Sequence, residues 1–269
     1  VREAIQSVLN QSYKNIQLIV VDDASSDDSV QIIQEAIKAN PEIVFIPLRE
    51  NIGNCAAFNL GLEKANGEFV IDFAADDVLL PDRVTVGVAH FEKSSQQVHV
   101  QFSDAELIDE EGKHIRLHSD RFTHAVPQGD IYKDLISTYF INSPTMMVRK
   151  KVFDKLGGYD EMLAYEDFDF WIRSSREFNF FYIPEVLVKT RIVKGSMAHT
   201  QFKRSGAQLK STYAVCKKIL HLNRSSAEQQ SLNRRIRYEI KVSLRLFDFP
   251  LAFQYLQLWW KNSKLKYND

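Results

Sequence analysis

Two spacings of apolar residues alternate along the first 75 residues of the chain. Apolar residues recur at helical spacing from Val1 to Leu9, which predicts a helix. The run Ile16–Val21 is short and apolar, as in a strand that is buried in a parallel sheet. The same alternation continues with helices at about 28–39 and 54–65 and strands at about 43–46 and 68–73. Short connections between such elements favour right-handed βαβ units and a mainly parallel sheet, so we predict an α/β fold.

The pattern changes after residue 77. We predict a helix at 81–93, a strand at 98–103 and loops at 104–130. Further predicted elements are a strand at 145–148, a short helix after it, a helix from about 166, and strands at 178–183 and 186–192. From about residue 200 the chain has helical patterns to its end. We therefore expect an α/β domain at 1–199 and a helical extension at 200–269.

Charge divides the chain at the same place. Residues 200–269 hold 14 Lys or Arg and 4 Asp or Glu, whereas the whole chain has 34 basic and 35 acidic residues. A basic extension on an acidic domain suggests two different tasks. Cys55 and Cys216 are the two cysteines and form no metal-binding pattern, which argues against a disulfide framework or a zinc site and favours a reducing compartment.

Three acidic pairs are the main candidate functional residues. Asp22-Asp23 and Asp76-Asp77 each follow a predicted strand, and Glu166-Asp167 opens an aromatic-rich predicted helix. Open α/β sheets bind ligands beyond the carboxyl ends of their strands. Neighbouring carboxylates stay ionised together only when a cation or a hydrogen-bonding ligand joins them. We therefore expect a cation or a ligand rich in N–H and O–H groups.

Each pair has an alternative interpretation. Asp22-Asp23 either caps the next helix or accepts hydrogen bonds from a base or ribose. Asp76-Asp77 either lies in a solvated loop or holds Mg²⁺ or Mn²⁺ together with diphosphate oxygens. Glu166-Asp167 either lies in the first turn of a helix, where the helix dipole stabilises acidic side chains, or directs its carboxylates at a cleft.

Several short motifs carry a family resemblance. They occur over residues 1 to about 196 in the order and approximate spacing of a known family, and together they are highly specific. The motifs are Ser7-Val8-Leu9-Asn10-Gln11-Ser12-Tyr13, Val20-Val21-Asp22-Asp23-Ala24-Ser25, Asn51-Ile52-Gly53, Asn59-Leu60-Gly61, Asn66-Gly67-Glu68, Ala75-Asp76-Asp77, Leu80-Pro81, Gly157-Gly158-Tyr159-Asp160 and Glu166-Asp167-Phe168-Asp169. The chain thus resembles family 2 inverting glycosyltransferases with the GT-A fold, a Rossmann-like, mainly parallel sheet with helices on both faces.

The resemblance implies a site for a nucleotide-diphosphate sugar donor. Asp23, with Asp22 beside it, would hydrogen-bond the base of the nucleotide, usually uracil. Asn51, Gly53 and Asn59 would also belong to the donor site. The donor expected from the resemblance is therefore UDP-linked.

The resemblance also implies a metal and a base. Asp76 would bind Mn²⁺ or Mg²⁺ at the diphosphate, and Asp77 would support that site. Asp167, with Glu166 beside it, would remove the proton from a hydroxyl of a glycan or lipid-linked acceptor. The expected setting is bacterial polysaccharide or cell-envelope biosynthesis in the cytoplasm. Peripheral contact with the inner face of the membrane is a separate expectation, which comes from the basic C-terminal helices.

The sequence departs from the family pattern at four places. The family's first strand would lie before Val1, so we expect the chain to be a fragment. Ala74 stands where an aspartate is usual, and Phe58 stands where an arginine is frequent. The family's Arg-x-His run appears as Arg191-Ile192-Val193, which lacks the histidine unless His199 replaces it.

Two alternatives to the enzyme remain from the residues. A receiver-type phosphoacceptor domain also places paired acids after a strand, and a non-catalytic nucleotide-sugar-binding module would explain Ala74.

Trp259-Trp260 among lysines indicates either an interfacial membrane helix or a cap on the core. The basic cluster Arg234, Arg235 and Arg237 fits anionic lipid or a polyanionic acceptor, and no nucleic-acid-binding motif accompanies it.

Overall fold

A computed structural model describes residues 1–94, 97–193 and 203–267. The chain forms two compact units. The first contains Val1–Gly129, Ile141–Glu161 and Phe178–Val193, and the second contains Asp130–Phe140, Met162–Glu177 and Lys194–Asp269. The second unit therefore includes two earlier segments besides the C-terminal helices. The predicted boundary between residues 199 and 200 lies outside the described residues and stays a prediction.

The first unit begins with the predicted alternation of helices and strands. Its elements are α1 (Arg2–Leu9), β1 (Ile19–Asp22), α2 (Ser29–Ala39), β2 (Val44–Pro47), α3 (Asn54–Lys64) and β3 (Phe69–Val70). Strands β1 and β2 pair in parallel, as expected for a βαβ unit. Ile5, Ile33 and Ile43 form a buried cluster between these elements, which explains why apolar spacing predicted them well.

A second sheet of six strands forms the rest of this unit. It contains β3, β4 (Val78–Leu79), β5 (Val98–Ile108), β6 (His114–Leu117), β7 (Met147–Arg149) and β8 (Asn179–Arg191), with helices α4 (Arg83–Lys93) and α6 (Lys150–Leu156) between strands. The order is β3-β7-β5-β8-β4, and β6 pairs with β5. Among the described residues of this sheet, β5 and β8 pair in parallel and the other strand pairs are antiparallel. The sheet is therefore mixed rather than mainly parallel, because the short strands turn back along the long central pair.

The two central strands are longer than the sequence predicted. Strand β5 continues to Ile108 through a segment that we expected to be loop, and β8 is one strand rather than two. Asp104 interrupts the apolar pattern of β5, but its buried carboxylate accepts hydrogen bonds from the backbone N–H and the hydroxyl of Ser119. Pro184 interrupts the pattern of β8, and register irregularities at Ser103–Ala105 accommodate it.

The second unit is helical. Its helices are α5 (Tyr132–Ser137), α7 (Asp167–Ser175), α8 (Ala207–Leu222), α9 (Ser226–Arg245) and α10 (Phe249–Lys264). Side-chain caps mark two of the helix starts: Ser225 accepts from the backbone N–H of Glu228, and Asp248 accepts from that of Leu251. In the described part of the chain, the helices are too short or too polar to cross a bilayer.

Candidate functional site

The end of strand β1 brings together three of the predicted donor-site residues. The Asp23 carboxylate accepts hydrogen bonds from the backbone N–H of Ile52, at 2.7 Å, and of Gly53, at 2.9 Å. The Asn51 side chain donates to the Asp23 carbonyl oxygen at 3.2 Å. Gly53 has φ +91°, a conformation that favours glycine. Asp23 thus fixes the 51–53 turn in front of helix α3.

Asp22 has a different environment from Asp23. Its side chain is buried and accepts a hydrogen bond from the backbone N–H of Ser25 at 3.2 Å. Ala24, which directly precedes Ser25, has a positive φ of 60°. Asp22 therefore stabilises the tight turn after β1, whereas the half-buried Asp23 is the better-placed acid of the pair for a ligand.

Asn59 engages another segment, the Gly157-Gly158-Tyr159 turn. Its amide oxygen accepts from the backbone N–H of Tyr159 at 2.9 Å, and its amide nitrogen donates to the Tyr159 carbonyl at 3.0 Å and to Glu161 at 2.8 Å. Phe58, which replaces the family's arginine, stacks on the Tyr159 ring at 4.2 Å. The structure thus gives Asn59 a positioning role for this turn.

Asp76 and Asp77 follow β3 and differ sharply in exposure. Asp77 is 2% exposed, and its Oδ1 accepts from the backbone N–H of Arg191 at 2.8 Å. Burial raises the pKa of Asp77 to about 7, with a smaller contribution from the neighbouring Asp76 charge. Asp76 is exposed, and no described residue donates a hydrogen bond to its carboxylate. A carboxylate in this state is available to a ligand.

Arg191 holds the loop that carries these two acids. Its Nε donates to the Asp76 carbonyl at 3.0 Å, and its Nη1 donates to the carbonyls of Asp109 and Glu110 at 3.1 and 3.0 Å. Its Nη2 forms an ion pair with Glu3 of α1 at 2.6 Å. The sequence marked Arg191 only as the start of an incomplete motif, because its partners lie far away along the chain.

Helix α1 and the residues just after it hold the chain that follows the same loop. The Ser7 hydroxyl accepts from the backbone N–H of Leu79, and the buried Gln11 side chain donates to the Leu80 carbonyl at 2.8 Å and accepts from the backbone N–H of Val84. Ser7 and Gln11 belong to the first motif of the resemblance. Their observed contacts are structural: they fix the chain directly after Asp77.

Asp76 and Asp77 suit a metal ion that is also bound by oxygen atoms of a ligand. Within residues 1–94, 97–193 and 203–267, no three His, Cys, Asp or Glu side chains converge as a ready metal cage. Mg²⁺ and similar hard cations usually take one or two protein carboxylates and complete their shell with phosphate oxygens and water. The exposed Asp76 suits that arrangement, and the buried Asp77 supports its loop. His199, the suggested replacement for the missing histidine, lies outside the described residues.

Glu166 and Asp167 lie in the second unit at the start of helix α7. The Glu166 carbonyl accepts from the backbone N–H of Phe170 at 2.9 Å, so Glu166 is the N-cap. Both acids are half-buried. The nearby Asp169 is 1% exposed and forms ion pairs with Arg173 and Lys218, each at 2.6 Å. Asp169 therefore anchors the helix.

A cavity of about 330 Å³ opens in the second unit beside the start of α7. Tyr165, which precedes Glu166, lines it together with Tyr139 and Tyr238. Arg235 and Glu239 form a buried ion pair at 3.3 Å on its wall. The rest of the lining consists of hydroxyl and amide groups from Ser137, Thr138, Gln208 and Thr212 and of the apolar residue Leu209. Aromatic faces, hydroxyl groups and a balanced ion pair suit a neutral polyhydroxylated ligand, and sequence patterns gave no sign of this cavity.

Comparison with protein families gives one match that covers more than half of the chain. The model described as Glycosyl transferase family 2 matches residues 1–157. An uncharacterized glycosyltransferase of Methanocaldococcus jannaschii is 28% identical over 194 residues, which are 71% of this chain and 65% of that protein. The chain thus spans slightly less than two thirds of that relative's length.

Solved structures resemble the chain in fold. TarS of S. aureus, residues 1–349 in complex with UDP-GlcNAc, has a TM-score of 0.71 at 17% identity. The alignment covers 97% of this chain and 74% of the TarS chain. The mannosyltransferase PcManGT of Pyrobaculum calidifontis, in complex with GDP-Man and Mn²⁺, has a TM-score of 0.62 at 14% identity. That alignment covers 98% of this chain and 80% of the mannosyltransferase chain. These similarities confirm the predicted GT-A fold with its C-terminal helical region.

Proposed function

We propose that this chain, which belongs to glycosyl transferase family 2, moves a sugar from a nucleoside-diphosphate donor to a hydroxyl group with the help of Mn²⁺ or Mg²⁺. The family excludes the receiver-type alternative. The reaction is one displacement at the anomeric carbon, so the configuration of that carbon is inverted.

The observation that carries the proposal is the contrast between Asp76 and Asp77. Asp77 is buried and bonded to the Arg191 backbone, whereas Asp76 projects from the same loop as an exposed carboxylate. Arg191, Ser7 and the Asp77 side chain fix that loop before any ligand arrives. A divalent ion bound at Asp76 would offset the charge that develops on the departing diphosphate.

The proposed donor is a UDP-sugar. Asp23 is half-buried at the carboxyl end of β1, where nucleotide-binding α/β proteins hold the base or ribose. Its carboxylate oxygens can accept further hydrogen bonds, because each has more than one lone pair. Complexes of TarS with UDP and UDP-GlcNAc support the choice of uracil. Gly53 and Asn51 form the turn beside Asp23, and Asn59 fixes the Gly158-Tyr159 turn.

The proposed acceptor is a hydroxyl of a glycan or a lipid-linked sugar. Asp167 removes its proton, and Glu166 fixes the start of the helix that carries Asp167. The tyrosine-lined cavity beside Tyr165 would take the sugar ring of the acceptor. We assign the transferase domain to residues 1–199 and the basic helical extension to 200–269, and we place the reaction in cytoplasmic polysaccharide assembly.

This function is tested by measuring UDP binding and sugar transfer separately. Purified chain is incubated with UDP-sugars, Mn²⁺ and a panel of glycan acceptors, and release of UDP and glycosylated product is measured. Asp167→Asn should bind UDP like the unchanged protein but lose transfer by about 10²- to 10⁴-fold, the usual contribution of a general base. Unchanged transfer in Asp167→Asn would contradict the assignment.

The second candidate is a nucleotide-sugar-binding module without turnover, which Ala74 favours because the family usually has an aspartate there. UDP binding by the unchanged protein without transfer to any acceptor would favour that function instead.

A further inference from the structure

Helix α10 is apolar on two opposite faces. Its inner face buries Leu251, Ala252, Tyr255 and Leu258. Its outer face exposes Phe249, Phe253, Leu256 and Trp260, by 59%, 61%, 47% and 56%. Successive residues turn by about 100°, so these four side chains fall within an arc of about 60° on the side of the helix away from Leu251, Tyr255 and Leu258. We call these four residues the outer aromatic face.

Such a helix needs a partner for its second face. A surface helix normally covers the core with one apolar stripe and presents polar residues on the other side, whereas a helix that is apolar all round is buried or lies at an interface. The apolar exposure also extends beyond the helix start, because Leu244 and Phe247 are exposed by 47% and 66%. Isolated exposed apolar residues are ordinary, but a continuous row of them marks an interaction surface.

The charge around this face selects the partner. In residues 203–267 the acidic residues are Glu228, Glu239 and Asp248, and all three are buried. Glu228 pairs with Arg176, Glu239 pairs with Arg235, and Asp248 caps α10. The exposed charges of this segment are therefore basic, including Arg237, Lys241, Arg245, Lys261, Lys264 and Lys266.

The helix hairpin presents this face on a fixed support. The Asn262 side chain donates to the Gln229 carbonyl and to Asn233, each at 3.0 Å, and the Gln229 side chain donates back to the carbonyls of Asn262 and Leu265. These bonds hold the end of α10 against the beginning of α9. The face is therefore preformed and needs no folding step to meet a partner.

We propose that the outer aromatic face is a docking surface for an anionic lipid bilayer. Exposed aromatic and leucine side chains on one side of a helix, with lysines and arginines next to them, are the features of a helix that lies in the interfacial plane. Tryptophan prefers that depth, and long basic side chains reach the headgroups from it. Lys264 lies directly beside this face: its Nζ is 3.3 Å from the centre of the Trp260 ring. The proposal does not depend on the donor or acceptor assigned above.

Vesicle sedimentation of the full chain tests this surface. The chain should sediment with vesicles of mixed phosphatidylcholine and phosphatidylglycerol, remain in solution with phosphatidylcholine alone, and detach as salt is raised. Two of its three tryptophans, Trp259 and Trp260, lie on α10, and Trp171 is buried in the second unit. Tryptophan emission should therefore shift to shorter wavelength on binding.

Two variants locate the surface. Phe253→Ser combined with Trp260→Ser should abolish sedimentation, and Ile115→Ser, at an apolar site of 48% exposure in the first unit, is its control. Replacing Arg237, Lys241 and Arg245 by glutamine should weaken sedimentation by about fivefold for each charge, or about a hundredfold together.

A second control tests whether the position of the removed basic charges matters for vesicle binding, and not only their number. Replacing Lys38, Lys93 and Lys113 by glutamine removes the same charge from exposed positions of the first unit and should leave binding unchanged. Three results would overturn the proposal: no binding to anionic vesicles at low salt, equal binding to neutral vesicles, or unchanged binding of the Phe253/Trp260 variant. Light scattering that shows a self-associated chain, dispersed by that variant, in place of vesicle binding would identify a second copy as the partner instead.

Discussion

Arg191→Met should lower both the stability of the chain and its Mn²⁺-dependent affinity for UDP, because the Arg191 side chain holds the loop that carries Asp76. The side chain makes three hydrogen bonds to backbone carbonyls, those of Asp76, Asp109 and Glu110, and one ion pair with Glu3. Methionine keeps much of the apolar stem but removes every donor. The bond from the Arg191 backbone N–H to Asp77 does not depend on the side chain.

The expected cost follows from these contacts. Each hydrogen bond contributes about 1 kcal/mol net. The ion pair adds about 0 to 1 kcal/mol, because Glu3 is 66% exposed. We expect a loss of about 3 kcal/mol in the free energy of unfolding, or about 6 to 12 °C in Tm for a chain of this size. The lost bond to the Asp76 carbonyl should also weaken Mn²⁺-dependent UDP binding about fivefold, which corresponds to about 1 kcal/mol.

Arg149→Met is the matched control. Arg149 also pairs with an exposed acid, Glu68, and packs over the rings of Phe69 and Phe91 at 5.0 and 4.8 Å. It should lose a similar amount of stability but keep its Mn²⁺-dependent affinity for UDP. Urea unfolding and calorimetric titration of both variants measure the two effects. Equal UDP affinities in the two variants would refute a role for Arg191 in organising the loop.

Three further predictions concern single side chains. Gly158→Ala should destabilise the fold more than Gly157→Ala in urea unfolding, although both residues have positive φ. A Cβ at Gly158 would lie 2.5 Å from the Asn59 amide oxygen, whereas a Cβ at Gly157 would have no described atom within 4 Å. Equal losses of unfolding free energy in the two variants would contradict this. Asp169→Asn should cost about 1 to 3 kcal/mol, because Arg173 and Lys218 lose charge-assisted hydrogen bonds to a buried carboxylate but, at 19% and 34% exposure, remain in contact with water; a loss below about 0.5 kcal/mol would not fit. Burial lowers the pKa of His99, so its contribution to stability is present above about pH 6.5 and is lost as the pH falls below it; His99→Phe should flatten that part of the profile of unfolding free energy against pH.

Apolar spacing predicted the elements whose burial follows a simple period. Helices α1 to α4 and strands β1 and β2 lie within a few residues of their predicted positions. The failure in β5 occurred where a long-range contact satisfies a polar residue inside the strand. Asp104 is buried in β5 because Ser119, fifteen residues later, donates to it. No local pattern contains that information.

The candidate site shows the same limit. Family motifs identified the acids, but they did not distinguish their environments. Asp22 and Asp77 are buried and bonded to the backbone, whereas Asp23 and Asp76 keep more exposure. The role of Arg191 depends on partners that are 81 to 188 positions away, which only the folded chain brings together.

The account is tested most directly by thermal unfolding of the chain with UDP and Mn²⁺, alone and together. If the exposed carboxylate binds an ion that also contacts the diphosphate, stabilisation requires both ligands and reaches about 2.7 kcal/mol at a hundredfold excess over Kd. Asp76→Asn should lose this joint effect, and Asp82→Asn, at an exposed acid a few residues later, should keep it. Full stabilisation of Asp76→Asn, or stabilisation by UDP that ignores the ion, would contradict the proposed metal-assisted site.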